Sequence, residues 1–134
     1  MKKLISLIMA IVIILSLSSC DDYVSSYSAI GLVRSNTSHG CEASFHSLSG
    51  TLVFKISKSH RGEEGDIKYT LDVEVGEVNL YYDCYGVKEK LARATAGEKI
   101  EACGGYVEGG HTVYIIIEAE DGSRGRVSVE LDHD

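Results

Sequence analysis

His39, Cys41 and His46 form the one close grouping of histidine and cysteine in the sequence. Imidazole nitrogen and thiolate sulfur are ligands that suit zinc or copper. The spacing of the three residues matches no established metal site. Polar residues of a loop and a strand, next to a cysteine that binds nothing, account for the grouping without a metal. We therefore predict no metal centre and keep these residues as its weak alternative.

Two acidic stretches could bind calcium through carboxylate oxygens. Their residues are Glu63, Glu64 and Asp66, followed later by Glu118, Glu120 and Asp121. Solvated acidic loops explain both stretches equally simply, and we prefer that interpretation.

Tyrosines near one end of the expected sheet are the side chains best suited to a binding surface. Tyr82 is expected to point inward and Tyr81 to the opposite face, while Tyr85 and Tyr106 fall in loops. Exposed tyrosines combine large contact area with a polar tip. Tyr81, Tyr85 and Tyr106 are therefore the candidate binding surface, although tyrosine is also a favoured strand residue.

No motif for catalysis or cofactor binding is present. The sequence lacks GxSxG, a P-loop, HExxH and an EF-hand loop. We therefore predict a domain that is not an enzyme and that binds no cofactor.

Cys20 follows an apolar run with a basic start. Lys2 and Lys3 precede residues 4–17, whose apolar side chains are interrupted by only two serines. Fourteen helical residues extend about 21 Å, which is shorter than the roughly 30 Å hydrocarbon core of a bilayer. The run is therefore typical of a signal peptide rather than of a spanning helix.

Leu17-Ser18-Ser19-Cys20 resembles the lipobox of bacterial lipoproteins, a family defined by its processing and not by its fold. The resemblance covers residues 1–20. It implies that Cys20 receives a diacylglyceryl thioether and that the chain is cut before it. Each buried CH₂ contributes about 0.8 kcal/mol, so two or three acyl chains hold a domain durably on a membrane. An ordinary signal peptide cut near Ser19 is the alternative.

Asp21 and Asp22 directly follow the proposed lipidation site. In two-membrane bacteria such an aspartate resembles an inner-membrane retention signal, and in one-membrane bacteria it has no such meaning. We expect the protein on the outer face of the cytoplasmic membrane, with a cell-surface location as the alternative.

The mature chain is acidic. Lys2 and Lys3 leave with the signal peptide, so 11 of the 13 basic residues remain against 20 acidic residues, a formal charge of −9. Nucleic acid and anionic headgroups repel such a chain. The sequence therefore argues against a nucleic-acid partner and predicts that lipid, not a basic patch, holds the protein on the membrane.

Alternating apolar and polar residues predict strands along most of the chain after Cys41. The predicted strands cover residues 51–56, 67–75, 78–82, 87–93, 98–103, 112–119 and 127–131. The nearly continuous apolar run at 112–119 predicts a central strand covered on both faces. The charged residues of 87–93 are typical of an edge strand.

Two glycine-containing pairs predict hairpin turns. Gly76-Glu77 suits a two-residue turn after 67–75, and Asp121-Gly122 is typical of a turn between the last two strands.

Three cysteines remain after Cys20 is assigned to lipid. If the strands at 80–82, 87–93 and 98–103 form a meander, Cys84 and Cys103 lie at the same end of the sheet. We predict a disulfide between them with Cys41 left over, three reduced cysteines being the alternative.

About seven strands with turn residues between them predict an all-β fold, a single small antiparallel β-sandwich of Ig-like or jelly-roll-like type. Residues 1–19 are then the signal peptide, 20–40 the lipidated cysteine and a flexible tether of roughly 20–25 Å reach, and 41–134 the sandwich. A first strand at 29–33 is the alternative for part of the tether.

The pattern of apolar residues and turns over residues 42–131 resembles small secreted lipoproteins of one-membrane bacteria whose role is uncharacterised. This resemblance implies no active-site residues. We expect a non-catalytic, lipid-anchored extracytoplasmic module that binds a protein or glycan of the cell envelope, with a metal or small-ligand carrier as the alternative.

Overall fold

The computed structural model describes residues 23–37, 40–56, 65–84, 86–107 and 112–131, and all regular structure in these ranges is antiparallel β-strand. The strands are β1 (Ser26–Ile30), β2 (Val33–Asn36), β3 (Gly40–Ile56), β4 (Gly65–Val75), β5 (Glu77–Asp83), β6 (Glu89–Thr95), β7 (Lys99–Val107) and β8 (Val113–Glu130). Within these ranges no helix has the length and apolar character that a membrane crossing requires. The all-β, antiparallel prediction is confirmed.

Two long strands organise the molecule. β3 and β8 lie side by side along their whole length, from Gly40 opposite Glu130 to Ile56 opposite Val113. Their pairing shifts register twice between Phe45 and Gly50. Strands that bend in this way can belong to two packed sheets, and here the bend folds one continuous sheet into the two layers of a β-sandwich.

Each layer contains one half of both long strands. The first layer consists of β1, β5, β6 and the halves of β3 and β8 at 47–56 and 113–119. The second layer consists of β2, β4, β7 and the halves at 40–45 and 123–130.

The core lies between the layers. Most of the inward residues predicted by alternation are buried, among them Leu52, Phe54, Leu71 and Leu80. Val75, at the end of β4, is an exception and is 52% exposed. Two tyrosines also connect the layers by hydrogen bonds. The Tyr69 hydroxyl donates to the carbonyl of Leu91 at 3.1 Å, and the Tyr82 hydroxyl accepts from the Tyr106 N–H at 3.0 Å.

The predicted hairpin at Asp121-Gly122 is wrong, because β8 continues through it and both halves pair with β3. The pair forms a bend instead, with Gly122 at a φ of 75°. Ser123 is fully buried there, and its hydroxyl oxygen lies 2.7 Å from the Glu120 carbonyl and accepts the Glu77 N–H at 3.2 Å. These bonds satisfy backbone groups that the bend removes from the ladder.

The predicted hairpin at Gly76-Glu77 is also wrong. β4 and β5 do not pair with each other, and both pair with β8, at 124–130 and 114–119 respectively. Gly76, at a φ of 85°, takes the chain from the second layer into the first. The positive φ is thus used for a crossing between layers rather than for a hairpin.

Residues 26–36, predicted to belong to the tether, form β1 and β2 on the outer edge of β3. Nearly all their side chains are exposed, so these residues lack the alternation of apolar and polar side chains that predicts a strand. Polar side chains complete the contact, because Arg34 and Asn36 donate to the carbonyls of Val53 and Lys55 at 3.1 and 3.2 Å. The edge of β3 is thereby covered.

Two strand predictions are confirmed. β6 pairs with β5 and with no other described strand, so it is an edge strand. β8 has neighbours on both sides, and Ile115 and Ile117 face the core. Ile116, on the outer face between Val53 and Tyr81, is only 1% exposed.

Candidate functional site

The outer face of the second layer is a row of polar side chains. Alternation along β3, β8 and β4 turns every second residue away from the core, and the register places Ser44, Arg126 and Asp72 opposite one another. The outward residues on the three strands include Glu42, Ser44, His46, Arg124, Arg126, Ser128, Thr70, Asp72 and Glu74. Such a face offers both donors and acceptors to a partner.

A cleft of about 340 Å³ lies on this face at the bend of the sheet. We call it the charged cleft; its polar lining is Ser44, His46, Asp72, Glu74, Arg124 and Arg126. Arg124 forms an ion pair with Glu74 at 3.0 Å, and Arg126 pairs with Glu42. All four ion-paired side chains remain substantially exposed, so the pairs can be exchanged for contacts with a partner.

The polar surface continues across the layer to its edge strand. A cavity of about 240 Å³ includes Lys99 and Ser128, and another of about 410 Å³ includes Lys68, Glu101 and Cys103. The charged cleft is therefore one end of a polar strip that runs from β3 to β7.

Cys41 and His46, two of the three weak candidates for metal ligands, are not brought together. Cys41 is buried and faces the core, whereas His46 is exposed on the outer face within the first register shift, and His39 lies outside the described residues. Burial raises the pKa of the Cys41 thiol to about 12, with Arg34 opposing the shift. Across the described ranges, no three His, Cys, Asp or Glu side chains converge on a common point.

The predicted Cys84–Cys103 disulfide is absent, and this prediction is wrong. β7 does not continue the meander β5–β6 but pairs with β4 in the other layer. Cys103 consequently lies on the exposed outer face of the second layer, while Cys84 is buried at the end of β5.

The candidate tyrosines lie apart in the described structure. Tyr81 is on the outer face of the first layer, with the Lys88 ammonium 4.3 Å from its ring centre. Tyr106 is at the end of β7 in the second layer and is 44% exposed. Tyr85 lies outside the described residues, so its part in a common surface stays a prediction.

The acidic stretches do not form a common site in the described residues. Glu118 forms an ion pair with Lys88 at 3.0 Å on the first layer, while Glu120 and Asp121 lie exposed at the bend of β8. Glu63 and Glu64 are outside the described residues, and Asp66 begins the outward row of β4.

Sequence reasoning missed an aromatic contact just after the proposed lipidation site. The Tyr23 hydroxyl donates to the Asp83 carboxylate at 2.5 Å, and its ring lies 5.3 Å from that of Tyr114. Burial, and then the hydrogen bond to Asp83, raise the pKa of Tyr23 to about 12. Asp83 is 5% exposed and also accepts the Gly86 N–H, so the chain is fixed to the first layer from residue 23 onward.

Ser25 continues this attachment. Its hydroxyl accepts the Val53 N–H at 2.8 Å, on the edge of β3 that β1 leaves open. In the sequence, this attachment corresponds only to a serine and a tyrosine close to a strand. That pattern is too common to predict the contact.

No protein-family model and no curated protein matches this chain. Among solved structures, a ruminal GH26 endo-β-1,4-mannanase is similar at 11% identity and a TM-score of 0.41, over 81% of this chain and 21% of the mannanase. Drosophila melanogaster CENP-C bound to CAL1 is similar at 16% identity and 0.32, over 80% and 78%. Fe(II)-HppE with (S)-1-HPP is similar at 13% and 0.31, over 83% and 61%. With every TM-score below 0.5, no function follows from these likenesses.

Proposed function

We propose that the protein is a non-catalytic binding module, anchored by lipid at Cys20 to the outer face of the cytoplasmic membrane, which recognises a cell-envelope protein or glycan through the charged cleft. The anchor rests on the Leu17-Ser18-Ser19-Cys20 motif after a signal-peptide core. The recognition surface rests on the geometry of the second layer.

The observation on which this proposal depends is the position of the charged cleft relative to the chain's attachment. Tyr23 and Ser25 contact the first layer, through Asp83, Tyr114 and Val53. The charged cleft lies on the outer face of the other layer. A domain held close to a membrane by its first layer presents its second layer to the envelope.

The chemistry of the cleft favours binding over catalysis. Arg124 and Arg126 each already hold a carboxylate, and the pairs are exposed rather than buried. Charges in such positions contribute mainly to the specificity and rate of association. The aromatic residue that lines the cleft, Phe45, is 4% exposed and offers no platform for a sugar ring, so a charged protein surface fits better than a neutral glycan.

The carrier alternative is less well supported. It relied on His39, Cys41 and His46, and Cys41 and His46 lie on opposite faces of β3. A thiol with a pKa of about 12 is also a poor metal ligand at neutral pH, because the ligand is the thiolate.

The test is capture of the partner by crosslinking of the tagged full-length protein in cells, followed by purification from solubilised membranes. The variant Arg124→Glu/Arg126→Glu reverses the charge of the cleft, and we expect recovery of the partner to fall at least about tenfold. Arg93→Gln is the control, because Arg93 is an exposed cation of the first layer, and the neutral amide removes its charge without placing a second carboxylate against its largely buried partner Glu77.

Partner recovery that is lost in the cleft variant and kept in the control supports the proposal. Equal recovery in both variants would assign recognition to another surface. Recovery of the protein alone would argue against a binding module and for the small-ligand alternative.

A further inference from the structure

The outer face of the first layer combines lysine and tyrosine side chains around the point where the chain arrives from Cys20. The pairing places Lys55, Tyr114 and Asp83 in one row and Val53, Ile116 and Tyr81 in the next. Lys55 lies 6.0 Å from the Tyr114 ring, and Lys88 and Lys90 lie 4.3 and 6.0 Å from the Tyr81 ring. We call the set Lys55, Tyr81, Lys88, Lys90 and Tyr114 the lysine–tyrosine face.

This face is cationic although the mature chain is acidic. Its three lysines are exposed. The described carboxylates nearest to these lysines are Glu118, which is paired with Lys88, and Asp83, which is 5% exposed and hydrogen-bonded twice. Further along the same outer face, toward the bend, lie Glu77, which is paired with Arg93, and the exposed Glu120. Charges more than about 8 Å away are largely screened at physiological ionic strength. A membrane surface in contact with this face therefore interacts mainly with its lysines, because the more distant charges of the chain are screened.

The covalent chain limits how far the lysine–tyrosine face can lie from an anchored bilayer. Cys20 precedes Tyr23 by three residues, which span at most about 11 Å. Tyr23 is held on this face by Asp83 and the Tyr114 ring. The second row of the face is two residues further along the strands, about 7 Å away.

We infer that the lysine–tyrosine face rests on the membrane and contacts its anionic phospholipid headgroups. The inference rests on the proposed anchor at Cys20. Lysine ammonium groups pair with headgroup phosphates, and half-buried phenol rings suit the boundary between headgroups and water. The contact fixes which way the anchored domain faces, and it replaces the flexible 20-residue standoff that the sequence predicts.

The test is lysine acetylation footprinting of the full-length, processed protein reconstituted in vesicles. One set of vesicles is pure phosphatidylcholine, and the other contains phosphatidylglycerol. On the anionic vesicles we expect Lys55, Lys88 and Lys90 to be acetylated roughly fivefold more slowly. Lys68 and Lys99, in the second layer, should not change. The difference should vanish in 0.5 M salt.

A pair of variants makes the test specific. In Lys88→Glu/Lys90→Glu, Lys55 should lose its protection on anionic vesicles. In Lys68→Glu/Lys99→Glu, which likewise removes an exposed ion pair, Lys55 should keep it.

The same samples are analysed by mass for lipid on Cys20. Equal acetylation of all five lysines on both vesicles, with lipid present, would overturn the orientation and leave the anchor intact. Absence of lipid on Cys20 would overturn the orientation together with the anchor.

Discussion

Cys41 and Cys103 differ in the properties that control thiol reactivity. Cys41 is 6% exposed, and burial raises its pKa to about 12. Cys103 lies exposed on the outer face of β7. Because the thiolate is the reactive form, this raised pKa leaves far less thiolate at Cys41 at pH 8 than an ordinary cysteine has.

We therefore predict one fast thiol in the folded protein. At pH 8, an alkylating reagent should modify Cys103 rapidly, and Cys41 and Cys84 only after denaturation, as measured by mass spectrometry of the peptides. The variant Cys103→Ser should abolish the fast reaction. Any residual reaction of Cys41 in the folded protein should become faster as the pH rises beyond 10, because burial raises the pKa of its thiol to about 12. Fast modification of Cys41 or Cys84 would contradict the packing described for β3 and β5.

At the scale of strands and turns, two glycines on either side of one bend have similar backbone angles and different surroundings. Gly76 and Gly122 have φ values of 85° and 75°. A Cβ on Gly122 would meet open space, whereas one on Gly76 would lie 2.4 Å from the Ser123 hydroxyl and 2.9 Å from its Cα. Alanine at Gly122 therefore introduces backbone strain alone, whereas alanine at Gly76 introduces backbone strain and steric overlap.

Gly122→Ala should lower the free energy of unfolding by about 1 kcal/mol, the cost of a left-handed alanine. Gly76→Ala should lower it by about 2–4 kcal/mol, because the Ser123 backbone must also shift. Chemical denaturation of both variants measures the difference. Equal losses would mean that the crossing between the layers is less tightly packed than described.

The same two glycines explain which parts of the fold could be predicted. Alternation along β4 correctly predicts that Ile67, Leu71 and Val73 are buried, because a side chain's face is a local property of a strand. A positive-φ glycine between two apolar runs is also local, but it occurs in hairpins and in bends alike. Only the long-range pairing of β3 with both halves of β8 decides between them.

The charged cleft could not be predicted for the same reason. Ser44, Asp72 and Arg126 are each an ordinary outward residue of an amphipathic strand. They become neighbours only when the register of three strands distant in sequence is fixed. The tyrosine surface rests on the expected meander of three neighbouring strands. Because β7 pairs with β4 instead, the two layers separate Tyr81 from Tyr106.

At the scale of the whole molecule, the outer faces of the two layers have different proposed roles. The lysine–tyrosine face lies where the chain arrives from Cys20, and the charged cleft lies on the opposite layer. The absence of a nucleic-acid partner stays a prediction from the net charge, and the net charge gives no sign of the exposed lysines on the first layer. Both assignments depend on the chain being held at Cys20.

The mass of the mature amino terminus, measured on full-length protein purified from membranes, is therefore the most direct test. We predict that the processed chain begins at Cys20 and carries a diacylglyceryl group, and that Cys20→Ser removes the lipid and releases the protein from the membrane fraction. A mature chain that begins elsewhere, or an unmodified Cys20, would contradict the lipid anchor and with it the orientation of both faces.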